Sequence, residues 1–283
     1  MVDATQNLND WIGRRQEIRD ELSPWPATAV AAMLDSPSLA PAQGEALPPL
    51  WQWFYFLPVS PQSRLAIDGH PERGDFLPPV PQPRRMFAGA RMRFHRPLIL
   101  GRPATRAGVI RAIEAKSGRS GALTFVTVGY EFHQDGELCI EEEQDIVYRQ
   151  PGDPAPAPEP KIMEAEPDGT WWRDFEADPR LLFRFSALTF NAHRIHYDRP
   201  YAIHEEGYPG LIVHGPLTAV LLAKLVHDNT PRRISAFSFR GRSPLYDLAP
   251  FRLVGRPAAD TVELEVRGPD GRITQTATAE LLR

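Results

Sequence analysis

Residues 150–160 read QPGDPAPAPEP, with five prolines in the ten positions 151–160. Proline has no backbone N–H and a fixed φ, so this stretch can form neither a helix interior nor a central strand. It reads as a stiff, extended linker that rises about 3 Å per residue. Cutting the 283-residue chain here leaves 1–149 before the linker and 161–283 after it. Each piece is of ordinary domain size. The chain is therefore expected to fold as two units of similar length.

The two units repeat a pattern. Each has an alternating strand, marked by Met92 and Phe94 in the first and by Phe237 and Phe239 in the second. A Pro-Leu step follows in both, Pro97-Leu98 and Pro244-Leu245. Each closes on two alternating runs around a turn, Asp135-Gly136 in one and Pro269-Asp270-Gly271 in the other. Asp-Gly between alternating runs is a hairpin signal. The repeat predicts a duplicated module of one helix and a long-stranded antiparallel sheet.

In the second module the helix is HGPLTAVLLAKLVHD (214–228), with Gly215 in the N-cap position and Pro216 in the first helical one. Leu217, Leu221 and Leu225 form one stripe, and Val220, Leu222 and Val226 widen it. A helix apolar on most sides is one enclosed by protein. In the first module LWQWFYFL (50–57) is too apolar all round for periodicity to separate helix from strand. It is assigned as helix by analogy with the repeat. Residues 58–87, with Pro-Pro and Gly-Asp steps, read as a long loop, either functional or simply irregular.

A net charge of −4 argues against a nucleic-acid surface. The single cysteine, Cys139, excludes an intrachain disulfide and fits a reducing compartment. The opening MVDATQNLND has no apolar segment of the secretory kind. No apolar run approaches the roughly 20 residues of a membrane span. A cytoplasmic protein with no membrane and no nucleic-acid partner is the expectation.

Half of the eight histidines lie within FNAHRIHYDRPYAIHEEGYPGLIVHG (190–215): His193, His196, His204 and His214. A metal site could use His193-x-x-His196 with Asp198, His204 or His214. However, there is no HExxH and no cysteine pair, so the spacing is a poor match for metal. An acid/base site needs less: one imidazole that exchanges a proton near neutrality and a group that holds water. Asn191 and His196 are five residues apart and could converge across a helix end. Gly215 would let a ligand approach the backbone. The N–H groups at that helix start could receive a carbonyl oxygen acquiring negative charge.

This stretch resembles the active-site region of the MaoC-like, R-specific enoyl-CoA hydratases, which have the hot-dog fold. Their G-D-x-N-P-x-H pattern aligns with Phe190, Asn191, Ala192, His193, Arg194, Ile195 and His196. The histidine is kept, but the Asp position holds Asn191 and the Asn position holds His193. SALTFNAHRIHYD followed by EGYPGLIVHGPL resembles one branch in particular. That branch contains the type 2 hydroxyacyl-thioester dehydratases and the mesaconyl-C4-CoA (3-methylfumaryl-CoA) hydratases. LPPLWQWFYFLP, FLPPVPQPRRMFAGARMRFHRPL, GRSGALTFVTV and EEQDIVYR extend the likeness through the first half.

The resemblance implies an α+β double hot dog, two antiparallel sheets each around a central helix. It implies reversible hydration of a 2-enoyl-CoA, with mesaconyl-C4-CoA giving citramalyl-CoA as the expected case. Itaconyl-CoA or a 3-hydroxyacyl thioester is the alternative substrate. A hot-dog thioesterase or a catalytically silent acyl-CoA binder is the alternative class. An amide does not titrate in this range, so the proton transfers fall to His196, with Asn191 positioning water and Gly215 at the helix start polarising the thioester. His193 is expected to support His196. Tyr208 and the backbone at His214 are expected at the substrate. Arg84 and Arg85 are candidates for a carboxylate or the CoA phosphates. Tyr197 and Asp198 either orient His196 or make a local turn. Trp51, Trp53, Phe54 and Tyr55 either line an acyl tunnel or form core. One site per chain is expected, with no metal and no redox cofactor. The partner is a small-molecule acyl-CoA, and a homodimer of double hot dogs is the expected assembly.

Overall fold

The computed structural model describes residues 7–118, 121–152 and 154–282. The first half runs β1 (Arg15–Asp20), α1 (Pro24–Met33), β2 (Arg84–Phe94), β3 (Ala104–Gly118), β4 (Gly121–Gln134) and β5 (Glu137–Arg149). The second runs β6 (Trp171–Phe175), α2 (Pro179–Leu188), α3 (Arg199–His204), α4 (Gly215–Asn229), β7 (Ile234–Gly241), β8 (Phe251–Pro257), β9 (Thr261–Arg267) and β10 (Ile273–Leu281). Each half is thus an edge strand, helical segments and a four-stranded antiparallel set. The Asp135-Gly136 turn joins β4 to β5 with both residues at positive φ, +54° and +81°, as a two-residue hairpin of the primed type requires.

The strand order is β1-β3-β4-β5-β2-β7-β10-β9-β8-β6, the same order read outward from the centre in both halves. β2 and β7 pair antiparallel from Gly89↔Arg240 to Arg93↔Ala236, so the two expected sheets are hydrogen-bonded into one continuous sheet. Gly89 is required at this seam, because a Cβ there would lie 2.3 Å from the Phe239 carbonyl oxygen.

The second-half helix forms as its sequence predicts, one residue out of register at the cap. His214, not Gly215, is the N-cap, and Gly215 and Pro216 open the first turn. Nine of its fifteen residues are buried, Leu217 to Ala223 without a break and then Leu225 and Val226. It packs against β2, β6, β8, β9 and β10.

The first half differs. The helix expected over 50–57 is a single 3-10 turn, Trp51–Phe54. Pro48 and Pro49 precede it, and Leu50 (φ +72°) and Phe56 (φ +52°) are left-handed, which breaks the helix at both ends. Aromatic bulk fills the space instead. Phe54 meets Phe185 edge-on at 5.5 Å, Phe56 meets Phe132 at 5.3 Å and Trp53 meets Phe239 at 5.9 Å. Trp53 Nε1 donates to Glu142 (2.8 Å), and Tyr55 Oη donates to the Ser23 carbonyl (2.8 Å). Trp53, Phe54 and Tyr55 are therefore core, and Trp51, also buried, lines a second apolar cavity of about 260 Å³. None of them lines the large cavity described below.

The loop after this core ends at Pro83, because Arg84–Phe87 belong to β2. It is folded by its own backbone bonds, Ala66 N–H to His70 O and Glu72 N–H to Arg64 O (both 2.8 Å). The proline-rich linker has no helix or strand among its described residues. Its Ala155 N–H bonds the Gly207 carbonyl (3.0 Å). Among the described residues no helix is long and apolar enough to cross a membrane.

Candidate active site

Asp178 caps α2 by accepting from Leu181 N–H (2.9 Å), and the chain leaves the helix through Phe190 at φ +50°. Asn191 then makes an Asx turn, its Oδ1 accepting from His193 N–H (3.0 Å). His193 caps the 3-10 turn Arg194–His196. This local geometry buries the rings of His193 and His196 edge to face at 5.4 Å. Arg194 points elsewhere, onto Asp198 (2.9 and 3.0 Å), the Ile67 carbonyl (3.1 Å) and the face of Tyr201.

Of the two readings for Tyr197 and Asp198, the local turn is the one observed. Tyr197 Oη donates to the Ala192 carbonyl (3.1 Å), and Asp198 caps α3 by accepting from Tyr201 N–H (3.1 Å). His196 is held instead by the Ile212 carbonyl, 2.8 Å from its Nδ1. A carbonyl can only accept, so Nδ1 carries the proton and Nε2 of the neutral ring keeps its lone pair.

The ring of His214 takes part in the site as well as its backbone. It stacks on His196 with centroids 3.6 Å apart and planes 17° apart, and its Nε2 shares a hydrogen bond with Ser186 Oγ (2.9 Å). Its Nδ1 is buried without a partner. Gly215 opens α4, and a Cβ there would meet only Gln275 Oε1, at 3.8 Å. In the orientation that satisfies both its ends, the Gln275 amide donates to Gly215 O (3.2 Å) and Thr218 Oγ1 (2.8 Å) and accepts from Ala219 N–H (3.3 Å).

The first half also contributes. Its loop presses Asp68-Gly69-His70 onto the turn at 192–194. Arg194 N–H donates to Asp68 O (2.9 Å). Gly69 (φ +91°) lies so close that a Cβ would overlap the Ala192 carbonyl oxygen at 1.8 Å. The His70 ring sits 4.0 Å from His193, with its Nδ1 3.0 Å from Asp68 Oδ2. His70, Asp68, Ser186 and Gln275 were not among the residues expected from sequence. An Asp-Gly-His step in a proline-rich loop and single polar residues in a helix or strand carry no spacing that would mark them.

A cavity of about 1500 Å³ joins these parts, and Arg85, Asn191, His193, His196, Tyr208, His214 and Gly215 all line it together with His70. Tyr208 Oη accepts from Arg149 Nη2 (3.4 Å). Arg84 is not on this wall. It is paired with Glu206 (Nε to Oε2, 2.8 Å; Nη2 to the carbonyl, 2.7 Å) and covers Tyr208. The Arg84 and Glu206 charges neutralise each other, so Arg84 ties β2 to the segment after α3 and is not positioned as a substrate ligand.

Burial dominates the electrostatics. It pushes His196 down to about 4 against the opposing Ile212 hydrogen bond, and it holds His193, His214 and His70 below the usual imidazole value. His193 is depressed further by His70, His196 and Arg85. For Asp68, burial alone would raise the carboxyl, but the hydrogen bonds from His70 bring it below its ordinary value. The cluster is thus a set of neutral imidazoles, in which the His196 ring, with its lone pair on Nε2, shares the cavity wall with the start of α4. Asp68, His70 and His193 offer ligand atoms within 4.8 Å of one another, the group best placed among the described residues to hold a metal ion. The Arg85 charge that opposes protonation of both imidazoles would oppose a cation there as well.

A family model for hydroxyacyl-thioester dehydratase type 2 matches residues 50–247. The chain is 62% identical over 271 residues to the mesaconyl-C(4)-CoA hydratase of Chloroflexus aurantiacus, covering 96% of each. It is 28% identical over 234 residues to the mitochondrial hydroxyacyl-thioester dehydratase type 2 of Schizosaccharomyces pombe, covering 74% of this chain and 77% of that one. A solved MaoC-like dehydratase superposes with a TM-score of 0.72 at 14% identity, covering 97% of this chain and 99% of that one. The MaoC-like dehydratase of Phytophthora capsici gives 0.69 at 14% identity, covering 98% and 99%. These structural likenesses establish the double hot-dog fold. The match over residues 50–247, together with close identity along nearly the whole chain, makes this protein a member of the hydroxyacyl-thioester dehydratase type 2 family of hydro-lyases.

Proposed function

We propose that the chain catalyses reversible addition of water to mesaconyl-C4-CoA, giving citramalyl-CoA. The identity to a hydratase of that name over 96% of both chains supports the substrate. The observation that carries the chemistry is His196, whose Nδ1 is fixed on the Ile212 carbonyl while its ring lines the same cavity as Gly215 at the start of α4.

In this reading the thioester carbonyl oxygen lies at the first turn of α4. The leading N–H groups of a helix have no intrahelical acceptor, and the helix dipole favours negative charge there. Pro216 supplies no N–H, which leaves Gly215 and Leu217 as the nearest donors. Polarising the carbonyl makes the β-carbon electrophilic and stabilises the enolate that follows attack. Burial keeps His196 neutral at pH 7, so Nε2 can take a proton from water as its oxygen attacks the β-carbon. The same nitrogen then returns a proton to the α-carbon. Asn191, on the same wall, orients the water without exchanging a proton. The step is redox-neutral, and no cofactor is assigned to it.

The test is to incubate the protein with mesaconyl-C4-CoA while following enoyl absorbance and free thiol together. Loss of absorbance without thiol release is expected, and His196→Ala should slow it by about 10²–10⁴-fold. Thiol release would indicate a thioesterase. Binding without turnover would indicate a silent binder.

A further inference from the structure

The acyl group assigned above carries a second charge. In a C4 thioester of mesaconate the β-carbon bears a free carboxylate, which has to enter a site made of neutral imidazoles. A carboxylate removed from water needs a cation or several donors.

The rings give the direction in which it would lie. Starting from Gly215, His214 stacks on His196 at 3.6 Å, His196 meets His193 at 5.4 Å and His193 meets His70 at 4.0 Å. With the thioester oxygen at Gly215 and the reacting carbons at His196, the free carboxylate continues toward His193 and His70. Asp68 is the carboxylate already at that end, and it is held by the His70 ring.

Two cations on the cavity wall are already paired with carboxylates, Arg91 with Glu143 and Asp145 and Lys116 with Glu114. Arg149 and Arg242 make single bonds to the hydroxyls of Tyr208 and Thr276, and the Arg149 charge acts on Glu206 and Tyr246 rather than on the imidazoles. Arg85 lines the cavity and makes no hydrogen bond or ion pair among the described residues, and its charge acts on both His193 and His70. Arg240 is similarly uncommitted, but its charge acts on Asp145, away from the imidazoles.

We propose that Arg85 pairs with the free carboxylate of the acyl group and so selects thioesters of dicarboxylic acids over neutral ones. The planar guanidinium can hold that carboxylate with two parallel hydrogen bonds. Arg85 comes from β2 of the first half, so specificity and proton transfer are supplied by different halves of the chain. This inference rests on the hydratase reading for the acyl group and for the position of the thioester.

The test measures binding of succinyl-CoA and butyryl-CoA by calorimetry. The two are saturated, equal in chain length and different only in the terminal carboxylate. Wild type should bind succinyl-CoA at least about 30-fold more tightly at the acyl site, and Arg85→Gln should remove that preference while leaving butyryl-CoA almost unchanged. Arg85→Lys should keep part of it, having the charge without the fork. An equal loss for both ligands in Arg85→Gln would place the residue on the CoA phosphates or in the fold and overturn the proposal. So would a wild type that binds the two ligands equally. Neither ligand can be hydrated. A preference lost with Arg85 in a protein that hydrates no enoyl thioester would therefore retain the subsite and remove the hydratase reading. Hydration with no carboxylate preference would do the reverse.

Discussion

The two halves share one strand order and differ in the segments each places before its sheet. In the second, a buried fifteen-residue helix starts at Gly215 beside a stack of imidazoles. In the first, the corresponding segment is a four-residue 3-10 turn, and Trp53 and Gln52 bond a buried Glu142 where the second half has the helix start, Thr218 and Gln275. In the proposed reading, the second copy carries the chemistry and the first is freed from it. The first copy still contributes, through a loop that packs on the second half's turn at 192–194 and a strand that carries Arg85 to the cavity.

The strongest test of that contrast lies in the first half. Trp53→Ala should cost about 3–5 kcal/mol in denaturant unfolding, as for other large aromatic truncations in a core. KM should hardly change. A raised KM with stability intact would turn the first-half aromatics back into an acyl tunnel. Acidification tests the second half. His196 titrates near 4 when folded and near 6.5 when unfolded, so the unfolded chain takes up the proton first as pH falls. The stabilisation is complete above about pH 6.5 and is lost as the pH drops toward 4, about 3 kcal/mol for this ring. His70, His193 and His214 shift in the same direction. Urea midpoints at pH 7.5 and 5 should fall accordingly, and by less in His196→Gln. A midpoint independent of pH would mean that the rings are solvated.

Gly69→Ala tests the junction between the halves. The methyl would overlap the Ala192 carbonyl and lift the loop off the catalytic turn, so kcat/KM should fall about 10²-fold while the melting transition stays cooperative. Unchanged activity would show that the second half works without the first-half loop. The smallest effect is expected for Tyr197→Phe. Its hydroxyl reaches only the Ala192 carbonyl and the residue is 45% exposed, so at most about 1 kcal/mol of stability and almost no activity should be lost. A large activity loss would make Tyr197, rather than the Ile212 carbonyl, the group that orients His196.

The sequence made the duplication legible because alternation and turn residues act locally: the Asp135-Gly136 hairpin and the Gly215-Pro216 helix start formed where their chemistry requires. It misled at 50–57, where analogy with the repeat outweighed the flanking prolines and the left-handed Leu50 and Phe56 could not be foreseen. His193, His196 and His214 were visible as a cluster because they lie close in the chain. His70, Ser186 and Gln275 meet them only through tertiary contacts, and nothing in their own neighbourhoods marks them. Arg84 and Arg85 looked equivalent as adjacent residues of one type. In a strand, successive side chains point to opposite faces, and only Arg85 reaches the cavity wall.

The account depends on a thioester lying between His196 and the first turn of α4. A crystal structure of His196→Ala with mesaconyl-C4-CoA bound would test this most directly. The thioester oxygen should lie about 3 Å from the Gly215 N–H, with the β-carbon facing position 196. An acyl group seated in the first half, or on the far side of the imidazole stack from Gly215, would contradict it.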